Sequence, residues 1–306
     1  MDHYLLLLFG FILLIGSGHY LVESSSDLAV RFNIPKIIVG LLIVSFGTSA
    51  PELLVSITAA IKGHPEMSVG NVVGSNIANI ALVLGLTAII FPIIVKSRTI
   101  LYDWGFMLFA SLVLLVFSWD CHLQMYEGFI FLSILAIYIY LSIKNKKNSS
   151  PNNTEKAKFG LGVNLLLLTG SMVLMYYGSD LLIDNASAIA HSWGVSEKII
   201  SVTIIAFGTS VPELATSVIA ALKKEMEISI GNIIGSNIFN ILSILGITSI
   251  VHPITFNQSI ISNDMMWMIG TMVLLLIPIL FYKKINRSFG LLFISIYFAY
   301  IYLQFI

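Results

Sequence analysis

The 306-residue chain contains little charge: only 10% of its residues are Asp, Glu, Lys or Arg, whereas 57% are apolar. Soluble domains carry about 25% charged residues, so this composition excludes a soluble enzyme and indicates a membrane protein that crosses the bilayer several times. Sixteen basic and sixteen acidic residues cancel, and a chain without a basic excess is not expected to bind nucleic acid. The single cysteine, Cys121, excludes an internal disulfide bond.

Long apolar stretches recur along the chain, and each can cross the bilayer as a helix of about 20 residues. A membrane barrel would instead alternate apolar and polar side chains, so only helices are expected here. We therefore predict an all-α polytopic membrane protein with ten transmembrane helices, at approximately 4–29, 37–61, 68–94, 104–118, 127–143, 159–189, 198–222, 229–252, 265–282 and 288–305.

Basic residues are distributed unequally between the connections of these helices. Of the 16 Lys and Arg residues, the connections on the side of the N-terminus contain only Lys62 and Lys198, which leaves 14 on the opposite side. Cytoplasmic connections are enriched in Lys and Arg. We therefore expect a multi-pass protein of the cell (inner or plasma) membrane with both termini outside, in which a cytoplasmic linker, 144–158, joins the halves 1–143 and 159–306.

The two halves contain the same two motifs in the same register. FGTSAPELLVSI from Phe46 matches FGTSVPELATSV from Phe207 at eight of twelve positions. SVGNVVGSNIANI from Ser68 matches SIGNIIGSNIFNI from Ser229 at nine of thirteen, and both offsets are 161 residues. Because each half has five predicted spans, the second half starts from the opposite face, which predicts two inverted five-helix repeats. Transporters of this type bind substrates near the bilayer midplane, on interrupted helices.

The first motif of each half combines a helix-breaking proline with oxygen-bearing side chains. Pro51 and Pro212 lack an amide hydrogen and free the carbonyl four residues earlier. Hydroxyl groups and a carboxylate lie within about one turn of each proline: Thr48, Ser49 and Glu52, and Thr209, Ser210 and Glu213. Oxygen ligands suit calcium and sodium and not zinc or copper. A simple kink is the alternative, but a carboxylate inside a membrane is costly and favours a cation site.

The second motif forms a polar stripe with one residue per helical turn in each half: Asn71, Ser75 and Asn79, and Asn232, Ser236 and Asn240. We expect this stripe to complete an oxygen cage, and hydrogen bonding between helices is the alternative interpretation. Its glycines predict close packing against another helix backbone: Gly70, Gly74, Gly231 and Gly235.

Other features of the sequence carry less functional information. Trp104 and Trp119 bracket the fourth span and are predicted to anchor it at the membrane interfaces. Glu23 and Asp184 lie toward the ends of their spans, where contact with a connection or with water is expected. The chain contains no HExxH motif and no evident nucleophile–base pair, so an enzyme is not predicted.

With its doubled GTS-x-PE and GN-xx-GSN-xx-N segments, the chain resembles the sodium/calcium exchanger family of the calcium/cation antiporter superfamily, in its compact prokaryotic form. The motif-bearing segments correspond to the two alpha repeats of that family. The resemblance implies secondary antiport by alternating access, in which sodium entry drives calcium export and the first and sixth helices slide across the remaining bundle. It implies no cofactor beyond the transported ions and no obligatory protein partner.

The resemblance also implies a ligand set. Glu52 and Glu213 would be the principal ligands, shared between calcium and sodium. Oxygen atoms of the other motif residues would complete the sites: the hydroxyls and carbonyls of Thr48, Ser49, Thr209 and Ser210, the backbone carbonyls near Ser45 and Ala206, the hydroxyls of Ser75 and Ser236, and the amides of Asn79 and Asn240.

The sequence departs from some relatives in ways that bear on the coupling ion. Some archaeal and potassium-dependent relatives carry Asp where this chain has Asn240, which leaves the potassium requirement open. The calcium/proton branch usually has an acidic residue within its GN-xx motif, but Val72 and Val73 occupy that place here. The alternatives are therefore divalent cation antiport coupled to protons, or to potassium plus sodium, and, from a different class, a cation channel.

Overall fold

A computed structural model describes residues 2–95, 98–147, 156–195 and 206–304 of the chain. Apart from turns and four two-residue strands, these residues are helical. The helices are α1 (Asp2–Phe32), α2 (Lys36–Thr48), α3 (Ala50–Ile61), α4 (Glu66–Ile90), α5 (Arg98–Phe117), α6 (Met125–Lys147), α7 (Leu161–Ser192), α8 (Ala206–Thr209), α9 (Val211–Leu222), α10 (Met226–Val251), α11 (Ile260–Tyr282) and α12 (Arg287–Leu303).

The lengths of these helices confirm an all-α protein that spans the membrane several times. Within the described ranges, seven helices are long and apolar enough to cross a bilayer, and α2 with α3 makes an eighth if they are counted as one bent span. Helices α9 and α12 are apolar but shorter. The first residues of the predicted span 198–222, including Lys198, lie outside the described residues, and so does part of the linker 144–158. The total of ten spans therefore stays a prediction.

The centre of the molecule is formed by α4 and α10, the helices that carry the second motif. In these two helices 78% and 89% of the apolar stretch is buried, compared with 33% in α1 and 28% in α7. Helices α1 and α7 pack against each other at Gly10 and Gly178, where an alanine methyl group at Gly10 would lie 3.0 Å from the Gly178 carbonyl oxygen. These long helices therefore lie at the periphery of the bundle, in close mutual contact.

Several helices contain a π turn, which inserts one extra residue into an α-helical turn. In α4 it covers Asn79–Leu84 and in α10 it covers Asn240–Leu245. Each begins at the last asparagine of the second motif, so the two turns keep the 161-residue offset. A third π turn, Gly40–Val44, lies in α2 just before the first motif. Such turns occur frequently at functional sites.

Helices α2 and α10 approach each other closely, as the glycines of the second motif predict. An alanine methyl group at Gly235 would lie 2.5 Å from the Leu41 carbonyl oxygen and 2.6 Å from Ser45 Oγ. One at Gly231 would lie 2.8 Å from the Ile37 carbonyl oxygen. The prediction is confirmed for this pair of glycines. For the other pair, Gly70 and Gly74 of α4, no described atom outside the helix lies within 4 Å of such a methyl group.

Two antiparallel ribbons connect the chain before the linker to the chain after it. Strand β1 (Ile93–Ile94) pairs with β4 (Lys284–Ile285), and β2 (His122–Leu123) pairs with β3 (Ile254–Thr255). Each ribbon therefore contains one strand from each half of the sequence.

Ion pairs join the C-terminal part of α1 and the start of α2 to neighbouring connections. Glu23 lies 3.1 Å from Lys158 Nζ and 3.4 Å from Lys223 Nζ. Lys36, at the start of α2, forms an ion pair of 2.7 Å with Glu225. The contact expected for Glu23 near the end of its span is thus made with lysines that lie in two different connections.

The prediction for Trp104 is wrong. Its side chain is buried, and its indole Nε1–H donates a hydrogen bond of 2.8 Å to the Met272 carbonyl oxygen of α11. Because indole combines a large apolar surface with one donor, it fits a buried helix contact as well as a membrane interface. Trp119 is exposed, as an interface residue would be.

Candidate cation site

Both interrupted helices have the same backbone geometry at the break. Ser49, between α2 and α3, has φ −85° and ψ 5°, and Ser210, between α8 and α9, has φ −88° and ψ 2°. Pro51 and Pro212 follow within the first turn of the next helix, where the missing amide hydrogen is least costly. Between α2 and α3 the axis bends by 42°. The predicted breaks are thus present in both copies of the first motif.

One of the carbonyls that proline frees has a partner from another helix. The Gly208 carbonyl oxygen accepts a hydrogen bond of 2.9 Å from Ser179 Oγ of α7. A methyl group on Gly208 would overlap the side chain of Ile183, also from α7, so a larger residue here would force that side chain to move. The break between α8 and α9 therefore packs directly against one of the two peripheral helices.

The two predicted carboxylates, Glu52 and Glu213, lie in the first turns of α3 and α9, and both side chains are fully buried. The N-terminus of a helix favours a negative charge. Ser49 Oγ donates to Glu213 Oε1 at 3.0 Å, and Ser236 Oγ lies 3.4 Å from the same atom. Among the described residues, Glu213 Oε2 and both carboxylate oxygens of Glu52 have no hydrogen-bond partner. Burying such oxygens is costly unless another group compensates them.

Thr48 connects the first motif of one half to the second motif of the other half. Its hydroxyl donates to Asn232 Oδ1 at 3.1 Å and lies 3.4 Å from Ser236 Oγ. The Ser45 carbonyl oxygen accepts from the Ser49 amide at 3.0 Å and lies 3.3 Å from Thr48 Oγ1. Motif residues that are far apart in sequence therefore form one buried cluster of oxygen atoms.

The first asparagine of each second motif braces the helix that carries the glutamate. Asn71 Nδ2 donates to the Glu52 carbonyl oxygen at 3.3 Å and to Ser56 Oγ at 3.1 Å. The equivalent Asn232 Nδ2 donates to the Glu213 carbonyl oxygen at 3.4 Å and to Ser217 Oγ at 3.1 Å. These bonds agree with the alternative interpretation of the stripe, hydrogen bonding between helices.

The serines in these braces were not singled out from the sequence. Ser56 and Ser217 are both buried and occupy equivalent positions within the matching first motifs. Their 161-residue offset is the signal that could have identified them. They support the glutamate-bearing helices through the asparagines.

The other predicted ligands whose side chains are described are also buried. Several of their polar atoms have no hydrogen-bond partner within the described part of the chain: Ser75 Oγ, Ser210 Oγ, Asn79 Oδ1 and Nδ2, and Asn240 Oδ1. Thr209 is buried at the end of α8. Ala206 begins α8, and its side chain lies outside the described residues.

Two further buried asparagines, Asn76 and Asn237, were not predicted from the sequence as site residues. Each lies three residues before a predicted ligand, and the GSN triplet common to both motif copies is the signal that could have identified them. Asn76 Oδ1 accepts a hydrogen bond of 3.1 Å from Asn240 Nδ2. One missed residue therefore contacts a predicted ligand directly.

The chemistry of the cluster matches hard cations. Its candidate ligands are two carboxylates, hydroxyls, amide oxygens and backbone carbonyls, the oxygen ligands that calcium prefers. None of the candidate ligands named above is a His or Cys side chain, the nitrogen and sulfur ligands that favour zinc or copper.

Comparisons with known proteins agree with this chemistry. The family model described as sodium/calcium exchanger protein matches residues 3–144 and 163–306. The chain is similar to inner membrane protein YrbG of Escherichia coli, with 34% identity over 90% of this chain and 86% of the relative. It is similar to sodium/calcium exchanger MaX1 of Methanosarcina acetivorans, with 28% identity over 99% and 98% of the two chains.

A solved structure has the same fold. The sodium-calcium exchanger NCX_Mj, soaked with 10 mM Na+ and zero Ca2+, matches with a TM-score of 0.83 and 33% identity, over 97% of both chains. The resemblance inferred from the two repeated motifs is thus confirmed. Because the family model covers nearly the whole sequence, the chain belongs to the sodium/calcium exchanger family.

Proposed function

We propose that this protein is a secondary antiporter that exports calcium in exchange for entering sodium, by alternating access. The observation that carries the proposal is the contact between the two copies of the first motif. Ser49 of one copy donates to Glu213 of the other at 3.0 Å, inside a fully buried cluster of oxygen atoms. A single site built from both halves can be exposed alternately to either face, as in other inverted-repeat transporters.

The proposed ion ligands are Glu52 and Glu213 together with ten residues that supply neutral oxygens: Ser45, Thr48, Ser49, Ser75, Asn79, Ala206, Thr209, Ser210, Ser236 and Asn240. Support comes from the buried carboxylate, hydroxyl and amide oxygens that have no hydrogen-bond partner among the described residues. A bound cation would compensate these atoms, and no cofactor is needed besides the transported ions.

Charge balance explains how sodium can displace calcium from such a site. The two glutamates contribute about −2 when both are ionised, and one calcium ion or two sodium ions cancel that charge. A third sodium ion would leave the loaded site near +1. Calcium and several sodium ions therefore compete for overlapping ligands, which couples the exit of one to the entry of the other.

We propose in addition that residues 1–143 and 159–306 are inverted five-helix repeats joined by a cytoplasmic linker, 144–158, with ten spans and both termini outside. Matched features at an offset of 161 residues support this arrangement, including the breaks at Ser49 and Ser210 and the π turns in α4 and α10. The two ribbons, each with one strand from either half, agree with a twofold relationship between the repeats.

Helices α1 and α7 are proposed to slide across the remaining bundle as access alternates. They are less buried than α4 and α10, and they contact each other through Gly10 and Gly178. Small residues permit close approach without interlocking side chains, so the pair can move as one unit. The ion pair between Glu23 and Lys223 and the hydrogen bond from Ser26 Oγ to Glu225 hold α1 against the α9–α10 connection.

The test is calcium uptake into proteoliposomes that contain the purified protein, with sodium, potassium and proton gradients imposed one at a time. We expect uptake when the vesicles are loaded with sodium and diluted into sodium-free buffer. Uptake driven by a proton gradient, or only when potassium accompanies sodium, would identify one of the alternative antiporters. Calcium current without any counter-ion would identify a channel. Glu52→Gln serves as the inactive control.

A further inference from the structure

The side chain of asparagine has two different ends, and a cation can use only one of them. The oxygen Oδ1 can bind a positive ion, whereas the amino group Nδ2 is a donor and repels it. The two ends have nearly the same shape, so packing alone does not select between them. A buried asparagine that binds a cation therefore needs a hydrogen-bond partner that holds its amino group away from the ion.

A chain of three asparagines provides such a partner in the core of the molecule. The Asn237 backbone carbonyl accepts a hydrogen bond of 3.3 Å from Asn76 Nδ2. Because a carbonyl can only accept, Asn76 must turn its amino group toward it and its oxygen away. That oxygen accepts from Asn240 Nδ2 at 3.1 Å. The polarity of Asn240 is thereby fixed by a backbone group two steps away.

The oxygen of Asn240 therefore remains available to bind a cation. Asn240 Oδ1 has no hydrogen-bond partner within the described ranges, and the side chains of all three asparagines are fully buried. Asn240 lies one helical turn after Ser236, which contacts both Thr48 and Glu213, and residues four apart share a helix face. The free oxygen therefore belongs to the face of α10 that carries the candidate cation site.

We propose that Asn76 is a positioning residue that presents the oxygen end of Asn240 to the transported cation. The proposal rests on the sodium/calcium exchange proposed above and adds a residue outside its ligand set. Asn76 does not contact the ion in this scheme. It acts through Asn240, by accepting a hydrogen bond from Asn240 Nδ2. Without this bond the amide of Asn240 could rotate by half a turn.

The equivalent relay in the other half is not formed. Asn237 is the repeat counterpart of Asn76, but its Nδ2 donates to the Ile233 carbonyl oxygen of its own helix, at 2.8 Å. Neither amide atom of Asn79, the counterpart of Asn240, has a partner among the described residues. The two sides of the site therefore differ, and Asn76 is the residue to substitute.

The decisive experiment compares Asn76→Ala in two backgrounds, the parent chain and Asn240→Asp. Aspartate has an oxygen at both ends, so its orientation no longer matters. In the parent background we expect Asn76→Ala to raise the KM for calcium about five- to tenfold, the loss of one buried hydrogen bond, with little change in kcat. In the Asn240→Asp background we expect a change of less than about twofold. The assay is sodium-driven calcium uptake in proteoliposomes.

A matched control is Asn185→Ala. Asn185 is also a buried asparagine, but it lies in α7, outside the cluster. The KM of this variant for calcium should stay close to that of the parent. If Asn76→Ala folds poorly, as judged by gel filtration, Asn76→Leu replaces it in both backgrounds, because leucine has a shape similar to that of asparagine but offers no acceptor to Asn240.

Two results would overturn the inference, and a third would concern the proposed function instead. An equal rise in KM in both backgrounds would show that Asn76 only supports the packing of α4, and an unchanged KM in the parent background would show that Asn240 needs no positioning. Should the parent chain itself show no sodium-driven calcium uptake, the proposed exchange fails. Normal exchange by the parent with either of the first two results refutes the positioning role alone.

Discussion

Replacing Gly235 by alanine tests whether the close approach of α10 to α2 keeps Thr48 in the candidate site. An alanine methyl group would lie 2.5 Å from the Leu41 carbonyl oxygen and 2.6 Å from Ser45 Oγ. Both are far shorter than an ordinary van der Waals contact of 3.4–4 Å. Because the contact at Leu41 is with backbone, α2 must move away from α10 by about 0.5–1 Å, since a close-packed interior has no spare volume.

The size of the effect follows from the bonds that such a shift breaks. Thr48 Oγ1 lies 3.1 Å from Asn232 Oδ1 and 3.4 Å from Ser236 Oγ, and both pairs would separate beyond hydrogen-bond distance. Overpacking costs about 1–3 kcal/mol, and each lost bond costs about 1 kcal/mol. We therefore expect a loss of about 3–5 kcal/mol in folding stability, accompanied by strongly reduced sodium-driven calcium uptake.

The measurements are thermal unfolding in detergent and calcium uptake in proteoliposomes, with Gly270→Ala as the control. At Gly270, in α11, no described atom lies within 4 Å of the new methyl group, so that variant should be neutral or stabilised by up to about 1 kcal/mol through helix propensity. If Gly235→Ala unfolds at the same temperature as Gly270→Ala and transports calcium at the parent rate, the α2–α10 contact does not position Thr48.

Three further predictions concern charge, topology and coupling. Glu52→Gln and Glu213→Gln should each nearly abolish calcium exchange, because one lost carboxylate weakens binding of a divalent ion twice as much as binding of sodium; uptake near the parent rate by a well-expressed variant would contradict the two-glutamate site. In a chain whose own Cys121 is replaced by serine, a cysteine introduced at Lys62 should react with an impermeant maleimide added to intact cells and one at Lys146 should not, whereas labelling of both would exclude the inverted topology. Sodium-driven calcium uptake should proceed without potassium, since Asn240 is neutral; flux that requires added potassium would show that this position has been misinterpreted.

The sequence predicted those parts of the site that have a local chemical signature. Pro51 and Pro212 lack an amide hydrogen wherever they occur, so the breaks beside Ser49 and Ser210 could be located from sequence alone. A glutamate within an apolar stretch is similarly conspicuous, and both glutamates are buried as expected. The repetition of each feature at one offset allowed the two halves to be aligned without a structure.

Features that depend on a partner helix could not be predicted in this way. The π turns at Asn79 and Asn240 have no sequence signature, because an α-helical turn of the same residues satisfies the same local preferences. The role of Asn71 became evident only when Ser56 and the Glu52 carbonyl were found beside it. Trp104 was misassigned for the same reason, since its partner is a carbonyl of α11.

The two ribbons have a consequence for the order of events during synthesis. Strand β1 pairs with β4, about 190 residues later in the chain, and β2 pairs with β3 across the linker. The first five helices can enter the membrane while the ribosome is still translating the rest, but their strands then have open edges. The ribbons of the first half can therefore form only after β3 and β4 have been synthesised, when most of the second half has already left the ribosome.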